Sequence, residues 1–309
     1  MASAPLVSYQ DTIRMLSERI VDAQRPIRVL DAVKWPEVTT RAFEKSDFKE
    51  IPSLTYDDYL ASSPLDYDPN KKQADLAEII NDIENKLSHQ DPLRHLLVHM
   101  TEQYMDVVEM LKNRGRKRFW ELSRKLYGSP RDPFHQQEYT VSHLGKSLND
   151  TLSKIADHDL GEPSPKDQSA EKVVDILNER FQLCFEGESV RAKLSDGIIA
   201  DAAAGGETVK IRKDSLFSRR DIDVLEVHEG WVHVGTTQNG NAQTHAKWLS
   251  KGPPRVVSTQ EGLAVLMEIL TFSSYPKRAK QINDRILAVE KVEDGANILE
   301  LIEFYRQAG

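Results

Sequence analysis

His228 and His233 stand five residues apart in the apolar run IDVLEVHEGWVHV (residues 222–234), and that spacing constrains the local fold more than any other feature of the chain. The rest of the run reads as helix, with Ser218-Arg-Arg-Asp221 as a capping box at its start. In a regular α-helix four residues turn through about 400°, which puts two side chains on one face. Five turn through about 500° and leave them roughly 140° apart. Two imidazoles that act together at this spacing therefore need the helix to widen or end between them. A one-residue π-bulge absorbs the extra residue, and such bulges recur at functional sites. Gly230, with no Cβ, is placed to tolerate the distortion. The spacing predicts a π-type widening or a helix end between Glu229 and His233.

The pattern His228-Glu229-Gly-Trp-Val-His233 resembles the signature of zinc peptidases, two histidines flanking a glutamate, lengthened by one residue. A catalytic zinc takes three protein ligands and keeps a fourth position for water. The sequence offers Glu261 as third partner, in Ser258-Thr-Gln-Glu-Gly-Leu-Ala264 at the start of an apolar helix continuing to Leu270. Glu229, next to a ligand but not itself one, is the candidate general base. Each signal also has a plainer reading. Histidines at this spacing are by default solvent-facing or hydrogen-bonded, and Ser258-x-x-Glu261 is itself a capping box. Joint occurrence favours the metal site, because His228, Glu229, His233 and Glu261 together supply each role a zinc hydrolase needs.

Around this segment the first half of the chain reads as helical. Leu76, Ile79, Ile80, Ile83 and Leu87 recur at helical spacing up to Asp91-Pro92. Leu96 to Leu111 marks a longer amphipathic helix, and Phe119, Leu122 and Leu126 a third that ends at Tyr127-Gly128. Residues 31–70, with Pro36, Pro52, Pro64 and Pro69, read as an irregular connection holding one short helix near Thr55 to Leu60. DLGEPSPKDQSAE (159–171) has the composition of a linker, so residues 1–165 are expected to form a helical region and 166–309 a second region, the catalytic one. In the second, Glu171 to Phe181 reads as a helix. Val190, Ala192 and Leu194 then alternate with Arg191 and Lys193, with Asp196-Gly197 as a hairpin turn, Ile198 to Ala204 as the returning strand, Gly205-Gly206 as the next turn and Thr208 to Arg212 as a third strand. An antiparallel meander is the expectation. A last helix contains Leu299, Ile302 and Tyr305.

Composition narrows the function classes. With 41 Lys and Arg against 49 Asp and Glu the net charge is -8, which argues against generic nucleic-acid binding. One cysteine, Cys184, excludes an internal disulfide and a cysteine-rich metal cluster and fits a reducing compartment. MASAPLVSYQD lacks the basic flank and apolar stretch of a signal peptide, and no stretch approaches the roughly 18 apolar residues of a membrane span. A cytoplasmic globular protein with no membrane or nucleic-acid partner is expected.

HEGWVH together with STQEGLA resembles the QEGLA-motif family (DUF1704, flavohaemoglobin expression-modulating QEGLA motif proteins), which also includes the eukaryotic microtubule-associated tyrosine carboxypeptidases. VKIRKDSLFSRRDIDVLEVHEGWVHVGTTQNG is similar to that family's strand, metal helix and following Thr-x-x-Asn-Gly segment, and RGRKRFWELSRKLYGSP to its upstream helical region. The resemblance implies His228, His233 and Glu261 as zinc ligands, Glu229 as catalytic glutamate, and hydrolysis of a C-terminal peptide bond. Tyrosine is released in the eukaryotic branch, an identity not carried over to this chain. It also implies further chain after Gly309, so the sequence is expected to be truncated at its C-terminus.

The expected fold is α+β and zincin-like, mostly helical, with a small antiparallel sheet packed on the metal-binding helix. The expected function is a zinc-dependent metallocarboxypeptidase acting on a peptide or protein C-terminus. The alternative is a non-catalytic regulatory or binding protein with a structural metal. Substrate contacts are proposed at Lys210 and Arg212, on the strand before the metal helix, at Thr237 and Asn239 in a turn after it, and at His245 on a loop; each also reads as ordinary surface. The run Lys112 to Arg118 either attracts an acidic tail or serves helix termini, and Cys184 reads as a buried small hydrophobe.

Overall fold

The computed structural model describes residues 8–134, 138–155, 159, 164–185, 190–198 and 200–308. It is mostly helical with two small sheets, an α+β protein. The α-helices are α1 Tyr9–Gln24, α2 Val29–Ala32, α3 Glu37–Lys45, α4 Tyr56–Ser62, α5 Pro69–Lys86, α6 Pro92–Lys112, α7 Lys117–Tyr127, α8 Val141–Leu152, α9 Ala170–Cys184, α10 Arg219–Leu225, α11 Gly235–Asn241, α12 Pro254–Leu270, α13 Pro276–Glu293 and α14 Ile298–Ala308. The strands are β1 Gln168–Ser169, β2 Arg191–Ser195, β3 Ala202–Gly205, β4 Thr208–Arg212 and β5 Leu216–Phe217. A π-helix, Glu226–Val234, joins α10 to α11, and a 3-10 turn spans Lys247–Ser250.

By compactness the chain divides into two units. One takes the described residues up to 146 with 253–255 and 282–308; the other takes those from 147 to 252 with 256–281. The boundary expected at 165 falls inside the second unit. Residues 160–163 of the expected linker, and Ile199 of the expected returning strand, lie outside the described residues.

In the first unit α5 and α6 pack together, and α1 packs on α5. Their apolar stripes bury Leu76, Ile79 and Ile83 on α5 and Leu97, Met100, Tyr104, Val107, Val108 and Leu111 on α6. Both helices start at a proline, where the absent N–H costs nothing, behind an aspartate cap. Asp68 accepts from the Asn70 and Lys71 N–H groups and Asp91 from that of Leu93. The stretch expected to be irregular holds a further helix, α3, because Pro36 caps its start rather than breaking it. In the basic run, Arg114 is buried and donates to the Leu111, Ala32 and Ser63 carbonyls, while Arg116 stacks on Tyr56. Those two cations tie the connection between α6 and α7 to the ends of α2 and α4.

In the second unit α9 buries Ala170, Val173, Leu177 and Phe181 against a three-stranded sheet. The strand order is β2-β4-β3, with β2 parallel to β4 and β3 antiparallel to it. The expected antiparallel meander is corrected here: Asp196-Gly197 closes no β2–β3 hairpin, and only Gly205-Gly206 closes one. Gly206 has φ +63°, the left-handed region that glycine enters without strain. The physical reason lies in β4. Its Val209 and Ile211 are fully buried, so β4 takes the centre and is shielded by a strand on each side, leaving β2 and β3 as edges. Leu194, which continues the alternation of Val190 and Ala192, is 41% exposed. Cys184 is exposed as well, because the last turn of α9 leaves the core and Phe185 instead returns to pack edge-on against Phe181. No helix among the described residues is long and apolar enough to cross a membrane.

Candidate metal centre

Residues 226–234 are π-helical, so the widening that the histidine spacing requires is present. The segment grows from α10, whose start is held by the Ser218–Asp221 capping box. The wider turn brings both imidazoles to one side, with ring centroids 5.0 Å apart and planes at 62°. Gly230 serves a purpose the sequence did not reveal: a Cβ there would lie 2.4 Å from the ring of Phe181, so its absence lets the π-helix seat on α9.

Opposite the histidines lies α12. It begins at Pro254, four residues ahead of Ser258, so Glu261 sits in the body of the helix and the capping-box reading of Ser258-x-x-Glu261 falls away. The carboxylate faces both rings. His228 Nε2 is 3.4 Å from one Glu261 oxygen and His233 Nε2 is 3.4 Å from the other. One ligand atom from each of the three residues can be chosen so that all lie within 4.8 Å of one another. Two imidazole nitrogens and one carboxylate oxygen are donors that a single ion accepts. The spacing fits a shared cation.

Glu229 is near enough for its charge to help raise both imidazoles. Its Oε2 accepts from the Ala204 N–H at 2.8 Å, so an edge strand holds one of its oxygens. That strand is β3. β4, on which substrate contacts were expected at Lys210 and Arg212, is central, and its backbone is consumed by neighbours on both sides.

Three groups that sequence reasoning missed complete the surroundings. Glu268, fully buried on α12, approaches His228 Nδ1 at 2.8 Å. Arg278 on α13 donates to both Glu268 oxygens, through Nη2 at 2.8 Å and Nε at 3.1 Å. Gln260 Oε1 lies 3.1 Å from His233 Nδ1. A glutamate inside the apolar run VLMEIL, seven residues after Glu261, was the available signal.

The electrostatics follow from these distances. Burial disfavours charge on His228, but the Glu261 and Glu268 carboxylates outweigh it and push the imidazole up to about 9. His233 is raised likewise, against its burial, by Glu261 and Gln260. The two histidines hold Glu261 far below the usual carboxylate range. Burial works against the ionised form of Glu268, and His228 with Arg278 overcomes it, so its pKa is lowered. This concentration of acceptors around two imidazoles suits a cation, whether protons or a metal ion.

The other expected contacts are placed differently. Arg212 is bound to Asp201 and to the Ser215 hydroxyl, and Lys210 is exposed on the sheet face away from Val209 and Ile211. Thr237 and Asn239 lie on α11, not in a turn, because the chain stays helical after the π-segment; the Thr237 hydroxyl donates to the His233 carbonyl. Gly240 lets that helix meet the 3-10 turn, since a Cβ would fall 2.1 Å from the Ser250 nitrogen. His245 is half-buried, and its Nδ1 has no hydrogen-bond partner among the described residues.

A family model described as microtubule-associated tyrosine carboxypeptidase matches residues 41–309, a span that includes the π-helix and α12. No curated protein and no solved structure matches the chain.

Proposed function

The chain belongs to the microtubule-associated tyrosine carboxypeptidase family, and on that premise we propose that it is a zinc-dependent carboxypeptidase using His228, His233 and Glu261 as ligands and Glu229 as the proton-transfer group. The observation that carries the reading is that one ligand atom each from His228, His233 and Glu261 can be chosen with all three within 4.8 Å of one another, close enough to share one ion. Two imidazoles and one carboxylate form a donor set that zinc accepts, with a fourth position left for chemistry. Zinc held there supplies Lewis-acid polarisation of the scissile carbonyl and activation of water.

The remaining steps belong to the chain's own groups. Glu229, with Oε2 held by Ala204 N–H, has Oε1 free to take a proton from the attacking water as its oxygen bonds to the carbonyl carbon. The same Oε1 then returns the proton to the departing amine nitrogen as the C–N bond breaks. The substrate is a polypeptide C-terminus, in line with the family's description as a tyrosine carboxypeptidase.

A peptide ending in tyrosine, offered with a free and with an amidated C-terminus, tests the reading. The free peptide should lose its last residue, the amidated one should survive, and Glu229→Gln should abolish cleavage while zinc remains bound. Equal cleavage of both peptides would overturn the carboxypeptidase assignment, and undiminished cleavage by Glu229→Gln would overturn the role of Glu229.

A further inference from the structure

We propose that Glu268 is a positioning residue for His228, locked in place by Arg278, so that α12 carries a ligand together with the groups that aim both histidines. The inference deepens the zinc reading above and rests on it.

Glu268 is 0% exposed. A buried carboxylate is costly unless its lone pairs are used, and here both oxygens are engaged. Oε2 receives the Arg278 Nε–H; Oε1 receives the Arg278 Nη2–H and faces His228 Nδ1 at 2.8 Å. A salt bridge that served packing alone would need only the arginine. The third contact reaches the ring whose other nitrogen faces Glu261.

That contact selects a tautomer. Arg278 cannot accept a hydrogen bond and leaves Glu268 Oε1 as the acceptor facing His228 Nδ1, so when a metal displaces the other proton the ring keeps its Nδ1–H and gives the Nε2 lone pair to the metal. The other tautomer would point a proton there. Arg278 itself is committed by this arrangement and is not a free cation for a substrate carboxylate. Helix geometry explains why one element does all this: Glu261 and Glu268 are seven residues apart, about two turns, and share a face. Gln260 does the same for His233 with a neutral amide oxygen at 3.1 Å, a weaker acceptor than a carboxylate.

The test measures zinc affinity by chelator competition for the wild type, Glu268→Gln and the double variant Glu268→Leu with Arg278→Met, alongside the melting temperature of each metal-free form and the visible spectrum of each cobalt-loaded form. The double variant removes the acceptor while filling the space with apolar groups, a replacement that buried ion pairs tolerate. Both variants should bind zinc roughly 10–100-fold more weakly, with a changed cobalt spectrum, while the double variant melts near the wild type. A double variant that folds normally and binds zinc within about threefold of the wild type, by the scale of such effects, overturns the positioning role and leaves the zinc reading standing. A wild type that takes up no zinc overturns the zinc reading itself.

Discussion

His228 and His233 are five residues apart in the chain, yet their rings lie with centroids 5.0 Å apart, because the helix between them is wound as a π-helix. The extra residue is absorbed locally, so its removal should let the segment revert to an α-helix with the histidines four apart and still on one face. Trp231 is 38% exposed and is the residue to delete. We expect the deletion to retain zinc binding within about tenfold, read by chelator competition, since both ligands stay on one side. Complete loss of zinc would mean that the π-winding supplies more than proximity.

Gly230→Ala places a methyl group 2.4 Å from the fully buried Phe181 ring, which has no open space to enter. Overpacking of this kind costs about 1–3 kcal/mol, and the strain falls on the helix that carries both histidines. Urea unfolding should show that loss. Adding Phe181→Leu should recover part of it, so that the double variant is more stable than the sum of the single effects. Additive losses would refute the Gly230–Phe181 account.

The pH dependence of the metal-free protein follows from His228. Its pKa is raised from 6.5 to about 9, so its stabilising charge is fully present below pH 6.5 and is lost as pH rises through 9. A shift of that size corresponds to roughly 3 kcal/mol at most. Glu261 and Glu268 are shifted the other way, so their contribution is lost as pH falls below the ordinary carboxylate range. Metal-free protein should therefore melt highest near pH 6 and lower at pH 9. Zinc must displace the His228 proton, so calorimetric titration at pH 7.5 in two buffers should report at least one proton released. No release at that pH would contradict the protonated imidazole.

Ala204→Pro tests the hold on Glu229. The Ala204 N–H points away from β4, so proline on this edge strand removes no ladder bond and takes away only the donor to Glu229 Oε2. Turnover should fall by roughly 10–100-fold, the scale of a misplaced reacting group, with zinc content unchanged. An unaffected rate would mean that the β3 backbone does not position this carboxylate.

Much of this was legible in the sequence where periodicity or stereochemistry acts locally. The α5, α6 and α7 stripes follow from their apolar spacing, and the π-widening follows from five residues between two histidines. What escaped depends on partners distant in the chain. Strand order could not be read, because the Asp196-Gly197 turn looks like a hairpin and the centre of the sheet is decided by how deeply Val209 and Ile211 are buried. At the site, His228, His233 and Glu261 carry recognisable residue types, whereas the roles of Glu268, Arg278 and Gln260 exist only once α12 and α13 are folded beside the π-helix. Gly230 was noticed for its freedom, yet its small size toward Phe181 is what the packing uses.

Elemental analysis of purified protein reaches the central claim without any substrate. Wild type should carry one zinc per chain, while His233→Ala and Glu261→Ala, each still folded by circular dichroism, should carry almost none. Zinc retained at full stoichiometry in both variants, or absent from the wild type after purification in zinc-containing buffer, would contradict a centre built from His228, His233 and Glu261.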